Sequence, residues 1–455
     1  MRNVDDAARE LRDAGVRTLL PRDQDYEEAR LPWRRTTEHR PGLIAEAAGP
    51  ADVRAVVRAA GAHGLPLTVM ATGHGAVRPC DGGLLLRTAA MNGVRVDPER
   101  RTVRVAAGAL WGDVVAAAAP FGLAPVSGSS PTVGVVGYTL GGGAGWLSRR
   151  YGYAADGLIS AEVVTAEGEI LTVGGDDHQD HPDLLWALRG GGGAFALVTA
   201  LELPLYPVAE AYAGMAVFPF ENAARALAVY RDWAWDEPDR SNTALMLMRM
   251  PDAPHLPEPL RGRPALGLRA FHLGDAEEAE AVLAPLRAAA GTPLMDMLRP
   301  ITFADTSALF GPPPGPSRAE GRLELLRDLP EEAVAEVIGI VEDGGPVAGV
   351  EVRHWGGAMD RPPEGAGPVG HRDVPFSVMV GAEAAGPEES GPVGEAVAKA
   401  AARVRPYATG GSFLNFLGDP EATATAYTEE DHRRLVEIKR RYDPEDLLSG
   451  GHDFR

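Results

Sequence analysis

A single histidine stands between two glycines at Gly73-His74-Gly75, where a β-type run, Leu67-Thr68-Val69-Met70, comes to its end. Imidazole can act as nucleophile, base or ligand. Glycine on both sides lets the backbone approach a bound molecule closely and aim its N–H groups at a phosphate. Taken alone, this turn reads better as a solvated loop. A second glycine-rich stretch changes that reading. It runs from Ser130-Pro131-Thr132-Val133-Gly134 through Gly137-Tyr138 to Gly141-Gly142-Gly143-Ala144-Gly145-Trp146. So many glycines supply little core, and their use is close approach to a flat, polyanionic ligand. A dinucleotide fold of the Gly-x-Gly-x-x-Gly kind is disfavoured, because Gly128, Gly134 and Gly137 make a poor central strand ahead of the motif.

Elements that must position these stretches can be read around them. Leu43-Ile44-Ala45-Glu46 reads as a strand, Pro50 opens a helix with Val53, Val56, Val57 and Ala60 on one face, and Gly64 ends it before the strand into His74. This is a strand–crossover helix–strand unit. Leu84–Leu86, Val94–Asp97 and Thr102–Val105 read as strands, and Leu110 begins a helix. A hairpin turns at Glu167-Gly168-Glu169, and a short helix, Asp183 to Arg189, leads into Gly190-Gly191-Gly192-Gly193. The segment before Pro41 reads as a helix, Val4 to Ala14, followed by polar chain. His178 and His181 lie in an acidic loop that reads as solvated, so no metal site is expected.

From about Glu210 glycine thins, and strands alternate with amphipathic helices: strands at Ala211–Phe218, Thr243–Met250, Ala265–Leu273, Gly321–Leu326, Val350–Trp355 and Phe376–Ala382, helices at Glu221–Trp235, Asp275–Ala290 and Pro330–Glu342. That order predicts one antiparallel sheet with helices on a single face, leaving the other face to roof a ligand. Met246, Met248 and Met250 form a row that reads more readily as core under a helix than as a pocket wall. Gly311 to Pro316 reads as a loop at a pocket mouth. In the strand Val350–Trp355, Glu351 and Arg353 share the face opposite His354.

The chain has 455 residues, 45% of them hydrophobic and 24% charged, which points to more than one globular domain. Its net charge of −20 argues against nucleic acid or anionic lipid as partner. One cysteine, Cys80, excludes an internal disulfide and a cysteine-based zinc site. No apolar run approaches the roughly 18 residues of a membrane span, and Met1 to Asp6 carries no apolar leader, so a cytoplasmic monomer or homodimer is expected.

The two glycine-rich stretches, in this order, resemble the FAD-linked oxidases of the vanillyl-alcohol-oxidase superfamily, and more closely its berberine-bridge-enzyme-like branch. The helix and four-glycine run at 183–193 are similar to that family too. So is the C-terminal segment, Ser412-Phe413-Leu414-Asn415-Phe416 and then Tyr427 through Pro444. The resemblance implies an α+β fold: a two-lobed PCMH-type FAD-binding domain over 1–206 (core from about 37), a substrate domain over 207–404, and a segment, 405–455, returning to the FAD domain. It implies FAD bonded through His74, with Ala71, Thr72, Gly73, Gly75, Ala76, Ser130, Thr132, Val133, Gly134, Gly137, Gly142, Gly145 and Asn415 around it. Many members add a cysteine tether where Ser130 stands here, so attachment through His74 only is implied. Val133, a small residue, goes in the family with oxygen access.

Departures from the family pattern bear on chemistry. Ala194 and Ala196 replace the usual Asn and Gly, and Phe413 replaces a tyrosine that often helps remove the substrate proton. A phenyl ring accepts no proton. Base candidates are Tyr138, Tyr151, Tyr153, Glu351 and His354, with none singled out. The expected activity is oxidation of a secondary alcohol, sugar or polyketide-like metabolite with oxygen as acceptor. A flavin-dependent cyclase, isomerase or oxygenating enzyme is the alternative, and a flavin-binding module without turnover the remotest reading.

Overall fold

Pro50 starts and left-handed Gly64 (φ +62°) stops the helix Pro50–His63, which packs Val53, Val56, Val57 and Ala60 against a sheet. The structure is a computed structural model. It describes residues 2–175, 180–208, 210–254, 256–311 and 315–455. His178 and most of the proline loop at 312–314 lie outside the described residues, whereas His181 is bonded to Tyr442 (Nδ1 to Oη, 3.0 Å). The sheet beneath the helix has the order Arg17–Leu19, Leu43–Glu46, Leu84–Arg87, Leu67–Met70. Its last three strands are parallel, as the crossover helix requires. The segment expected to be polar chain instead supplies the antiparallel edge strand Arg17–Leu19, and Ala7, Ala8 and Leu11 of the first helix are buried in the same core. The first lobe therefore begins well before residue 37.

A second lobe is built on the antiparallel sheet Val94–Asp97, Thr102–Ala106, Leu197–Pro204, Ser160–Val164 and Ile170–Gly174. The second glycine-rich stretch crosses its core. Part of that stretch is helical, Val135–Leu140, and its apolar residues do reach the core: Val135 and Leu140 are buried among Trp111, Leu184 and Phe195. Gly137 between them does not prevent it, because the helix draws its packing from the lobe and not from its own composition. The C-terminal helix Glu429–Tyr442 closes the lobe with Leu435, Ile438 and Tyr442. Its Lys439 is buried, with Nζ donating to the carbonyls of Ala194 and Leu448 (3.2 Å each) and to Asp443.

A third sheet is wholly antiparallel and eight-stranded. Its main path runs Met295–Asp296, Ala211–Pro219, Pro264–Leu273, Ser241–Arg249, Gly349–His354, Phe376–Glu383, Ala319–Leu326. Alternation along each strand separates two faces. Leu245, Leu247, Leu266, Leu268, Val350, Val352, Val378 and Val380 point one way and pack under the helices Ala223–Trp233, Ala276–Ala290, Glu331–Glu342 and Pro387–Val404. The last of these helices has no clear sequence signal: Gly391, Pro392 and Gly394 interrupt it, and burial of Val393, Val397, Ala401 and Val404 holds it. Residues of the opposite set face the two lobes. The methionine row lies there, with Met246 and Met248 gathered with Met215 about Gly267, and not under a helix.

Candidate active site

One cavity of about 620 Å³ runs between the two lobes and the open face of the large sheet. Both glycine-rich stretches reach it, along with Phe413 to Leu417 and the terminal Gly450, Gly451, His452 and Phe454. The first turn is shaped by contacts around it. Trp33 donates its backbone N–H to the Thr72 carbonyl (2.8 Å), and Arg34 to that of Gly73 (3.2 Å). Gly73 has φ +75°, and a Cβ there would stand 2.4 Å from Pro32 Cβ, so only glycine fits. The second stretch is pinned by Trp111 N–H to Val133 O (3.1 Å) and Val135 N–H to Ala109 O (2.9 Å). Gly145 passes so close to Ser127 that a Cβ would be 2.0 Å from its carbonyl oxygen.

His74 is held on two sides. Its ring stacks on Trp33 with centroids 3.9 Å apart and planes 17° apart. Its Nε2 lies 3.1 Å from Thr132 Oγ1, which is itself 3.0 Å from Ser130 Oγ. Burial pushes its pKa down to about 4 against the pull of Thr132, so the imidazole is neutral at pH 7. His452, also lining the cavity, is pushed to about 4 by burial and by Arg78.

Of the residues expected around a cofactor, Ala71, Thr72, Gly73, His74, Gly75, Ala76, Ser130, Val133, Gly134, Gly137, Gly145 and Asn415 line this cavity. Thr132 stands behind His74, and Gly142 lies against the Phe413 ring. Asn415 uses its amide on the loop itself: Oδ1 accepts from Gly143 N–H (2.8 Å) and Nδ2 donates to the Tyr138 carbonyl (3.1 Å). FAD fits this set. A Cβ on Gly75 or Gly137 would meet no protein atom within 4 Å, so both backbones are bare where they border the cavity.

The base candidates separate. Tyr138 lines the cavity; its buried hydroxyl has no hydrogen-bond partner, and burial pushes its pKa far above the usual phenol range. Tyr151 stacks on Tyr206 (3.8 Å), Tyr153 lies between Phe413 and the Arg372 guanidinium, and neither lines the cavity. His354 faces away from it, with Nδ1 2.7 Å from Glu237 Oε2 in a buried cluster with Arg149. Glu351 pairs with Arg269 (2.8 Å) and Arg353 (2.6 Å), both of which line the cavity. Burial pushes Glu351 up, but the two guanidiniums outweigh it and hold the carboxyl below its usual range. Phe413, buried against Trp355, also lines the cavity and offers no proton acceptor.

Residues 41–174 match the FAD binding domain family. The chain is 30% identical over 453 residues to (R)-6-hydroxynicotine oxidase of Paenarthrobacter nicotinovorans, covering 94% of each chain. The chain belongs to the same family of FAD-linked oxidoreductases as that oxidase. The structure agrees in fold with wild-type BBE-like 1 of Physcomitrella patens (TM-score 0.86, 19% identity, 97% of each chain). It agrees likewise with berberine bridge enzyme of Eschscholzia californica (TM-score 0.83, 18% identity, 97% of each chain). It is thus an FAD-dependent oxidoreductase, and among its described residues no helix is long and apolar enough to cross a membrane.

Trp33, Arg269, Arg353, Met379 and His452 line the cavity without having been expected there. The open-face reading of Arg353 was available from alternation with His354. The others come from remote segments and leave no local pattern.

Proposed function

We propose that this chain is a small-molecule oxidase that holds FAD through His74 alone and oxidises a secondary alcohol-type carbon with oxygen as acceptor. The observation that carries it is the neutral His74, fixed between Trp33 and Thr132 at the wall of the cavity that both glycine-rich stretches line. Flavin, when bound, supplies a two-electron acceptor. The chain's own part is to hold and orient. Thr132 engages Nε2 and leaves Nδ1 as the nitrogen for a bond to the cofactor. Ser130 stands where a second tether would need a thiol. Asn415 fixes the backbone at Tyr138 and Gly143 against the cavity.

Phe413 and the unpartnered, protonated Tyr138 favour a second reading, in which a cyclising or oxygenating reaction needs no phenolate base. The two readings part in one assay. A panel of secondary alcohols, sugars and polyketide-like phenols is mixed aerobically with the purified protein, and oxygen uptake is compared with hydrogen peroxide release. Equimolar peroxide and oxidised product support the oxidase. Product without peroxide supports the second reading.

A further inference from the structure

The open face of the large sheet carries a row of side chains set by strand register. Ala244 pairs with Arg269 on one side and with Arg353 on the other, so both arginines project from one row. Glu351, two residues from Arg353, bridges them at 2.8 and 2.6 Å. Two guanidiniums sharing one carboxylate leave one uncompensated positive charge over the cavity. No aspartate or glutamate lines that cavity among the described residues, and the other two arginines that do, Arg34 and Arg78, pair with Glu320 and Asp453. A cationic roof is not a by-product of composition, since the chain as a whole carries −20.

Donors are left over as well. Arg269 Nε and Arg353 Nε are buried without a hydrogen-bond partner, as are Trp146 Nε1 and the Tyr138 hydroxyl, and all four residues line this cavity. The Arg269 guanidinium lies 5.6 Å from the Trp146 ring, and Glu351 joins Arg269 to Arg353. Buried donors without acceptors are costly, and a buried charge set kept for stability alone is readily outdone by apolar packing. A ligand group that carries negative charge would match the excess positive charge of the Arg269–Glu351–Arg353 set.

We propose that Arg269 and Arg353 bind an anionic group of the substrate, a carboxylate or its equivalent, so that the enzyme acts on a hydroxy acid and not on a neutral alcohol. This rests on the flavoprotein reading above, with the large sheet as the substrate side of the cavity. The phosphates of the cofactor are the other anions within reach. The glycine backbones of the two lobes are suited to them, and the arginines, on the opposite wall, are not needed for them.

The test uses the purified holoenzyme. Benzoate, phenylacetate and 3-phenyllactate are titrated while the flavin absorption spectrum is followed, each beside its neutral amide. The carboxylates are expected to perturb the spectrum and bind at least about tenfold more tightly than the amides, a charge-assisted contact's worth. Arg353→Gln and Arg269→Gln should keep their flavin and lose that preference. A yellow protein that binds acids and amides alike, or neither, overturns the proposal. Arginine variants that fold but come out flavin-free also overturn it, since the arginines would then serve the cofactor. If a variant does not fold, the wild-type comparison of acid with amide decides alone. A wild type that stays colourless with added FAD defeats the flavoprotein reading itself, and this proposal falls with it.

Discussion

His74 Nε2 and Thr132 Oγ1 lie 3.1 Å apart across the two glycine-rich stretches, so Thr132 fixes the imidazole's rotation within the plane that the Trp33 stack sets. Thr132→Val removes that contact with little change in shape. Attachment of added FAD to the flavin-free protein should slow by about tenfold, the effect of about 1.4 kcal/mol of lost positioning. The check is the rate at which flavin becomes acid-precipitable with protein. An unchanged rate would remove Thr132 from the account.

The same attachment should resist acid. An ordinary imidazole, near 6.5, is mostly protonated at pH 5.5 and cannot act as a nucleophile. Burial holds His74 near 4, so its neutral form persists at pH 5.5. Attachment rates at pH 7.5 and 5.5 should therefore agree within about twofold, where an unshifted histidine would lose about tenfold. The depression also costs stability in acid. The unfolded chain takes up a proton near 6.5 that the fold refuses, so stability of the flavin-free protein falls as pH drops from 6.5 to about 4 and levels below that. His74 and His452 each contribute up to about 1.4 kcal/mol per pH unit in that window. Urea midpoints across pH 4 to 7 measure it.

Asn415→Leu should loosen the loop it clamps. Two hydrogen bonds are lost, and the Gly143 N–H and Tyr138 carbonyl are left without them. A cost of about 1–3 kcal/mol is expected, with flavin bound more weakly and the remainder of the fold intact. Thermal melting with and without added FAD separates the two effects.

Arg149 locks the second lobe to the large sheet. It is 1% exposed and donates to the carbonyls of Ser241 (2.9 Å), Glu237 (2.8 Å) and Trp355, with His354 Nδ1 at 3.0 Å. Arg149→Met takes the guanidinium away from the buried Glu237 carboxylate, which keeps only His354 and Thr243, and leaves three buried carbonyls without their donor, and should cost about 3–5 kcal/mol. Chemical denaturation should show an early loss of structure, with the flavin becoming exposed to solvent in the same transition. Stability near that of the wild type would mean that the cluster is not needed to hold the lobes on the sheet.

Much of the fold was legible because its signals are local. Pro50 and Gly64 bracket a helix in sequence as they do in space, and Glu167-Gly168-Glu169 makes a hairpin by itself. What was not legible depends on remote partners. Helix Pro387–Val404 contains Gly391, Pro392 and Gly394 and exists because the sheet buries one side of it. The methionine row alternates correctly, but alternation cannot tell which face a helix will cover. The glycine-rich stretches are contiguous, so they can be found by composition. Arg269 and Arg353 are brought together by the register of Ala244, on a strand between theirs, and by the Glu351 bridge, and nothing in the sequence near Arg269 announces either.

The central claim is that His74 alone carries the flavin. The direct measurement is the visible spectrum of purified protein after acid precipitation, for the wild type and for His74→Ala. The account predicts flavin absorbance in the wild-type pellet and, for His74→Ala, only in the supernatant. A colourless wild-type pellet, or a yellow His74→Ala pellet, would contradict it.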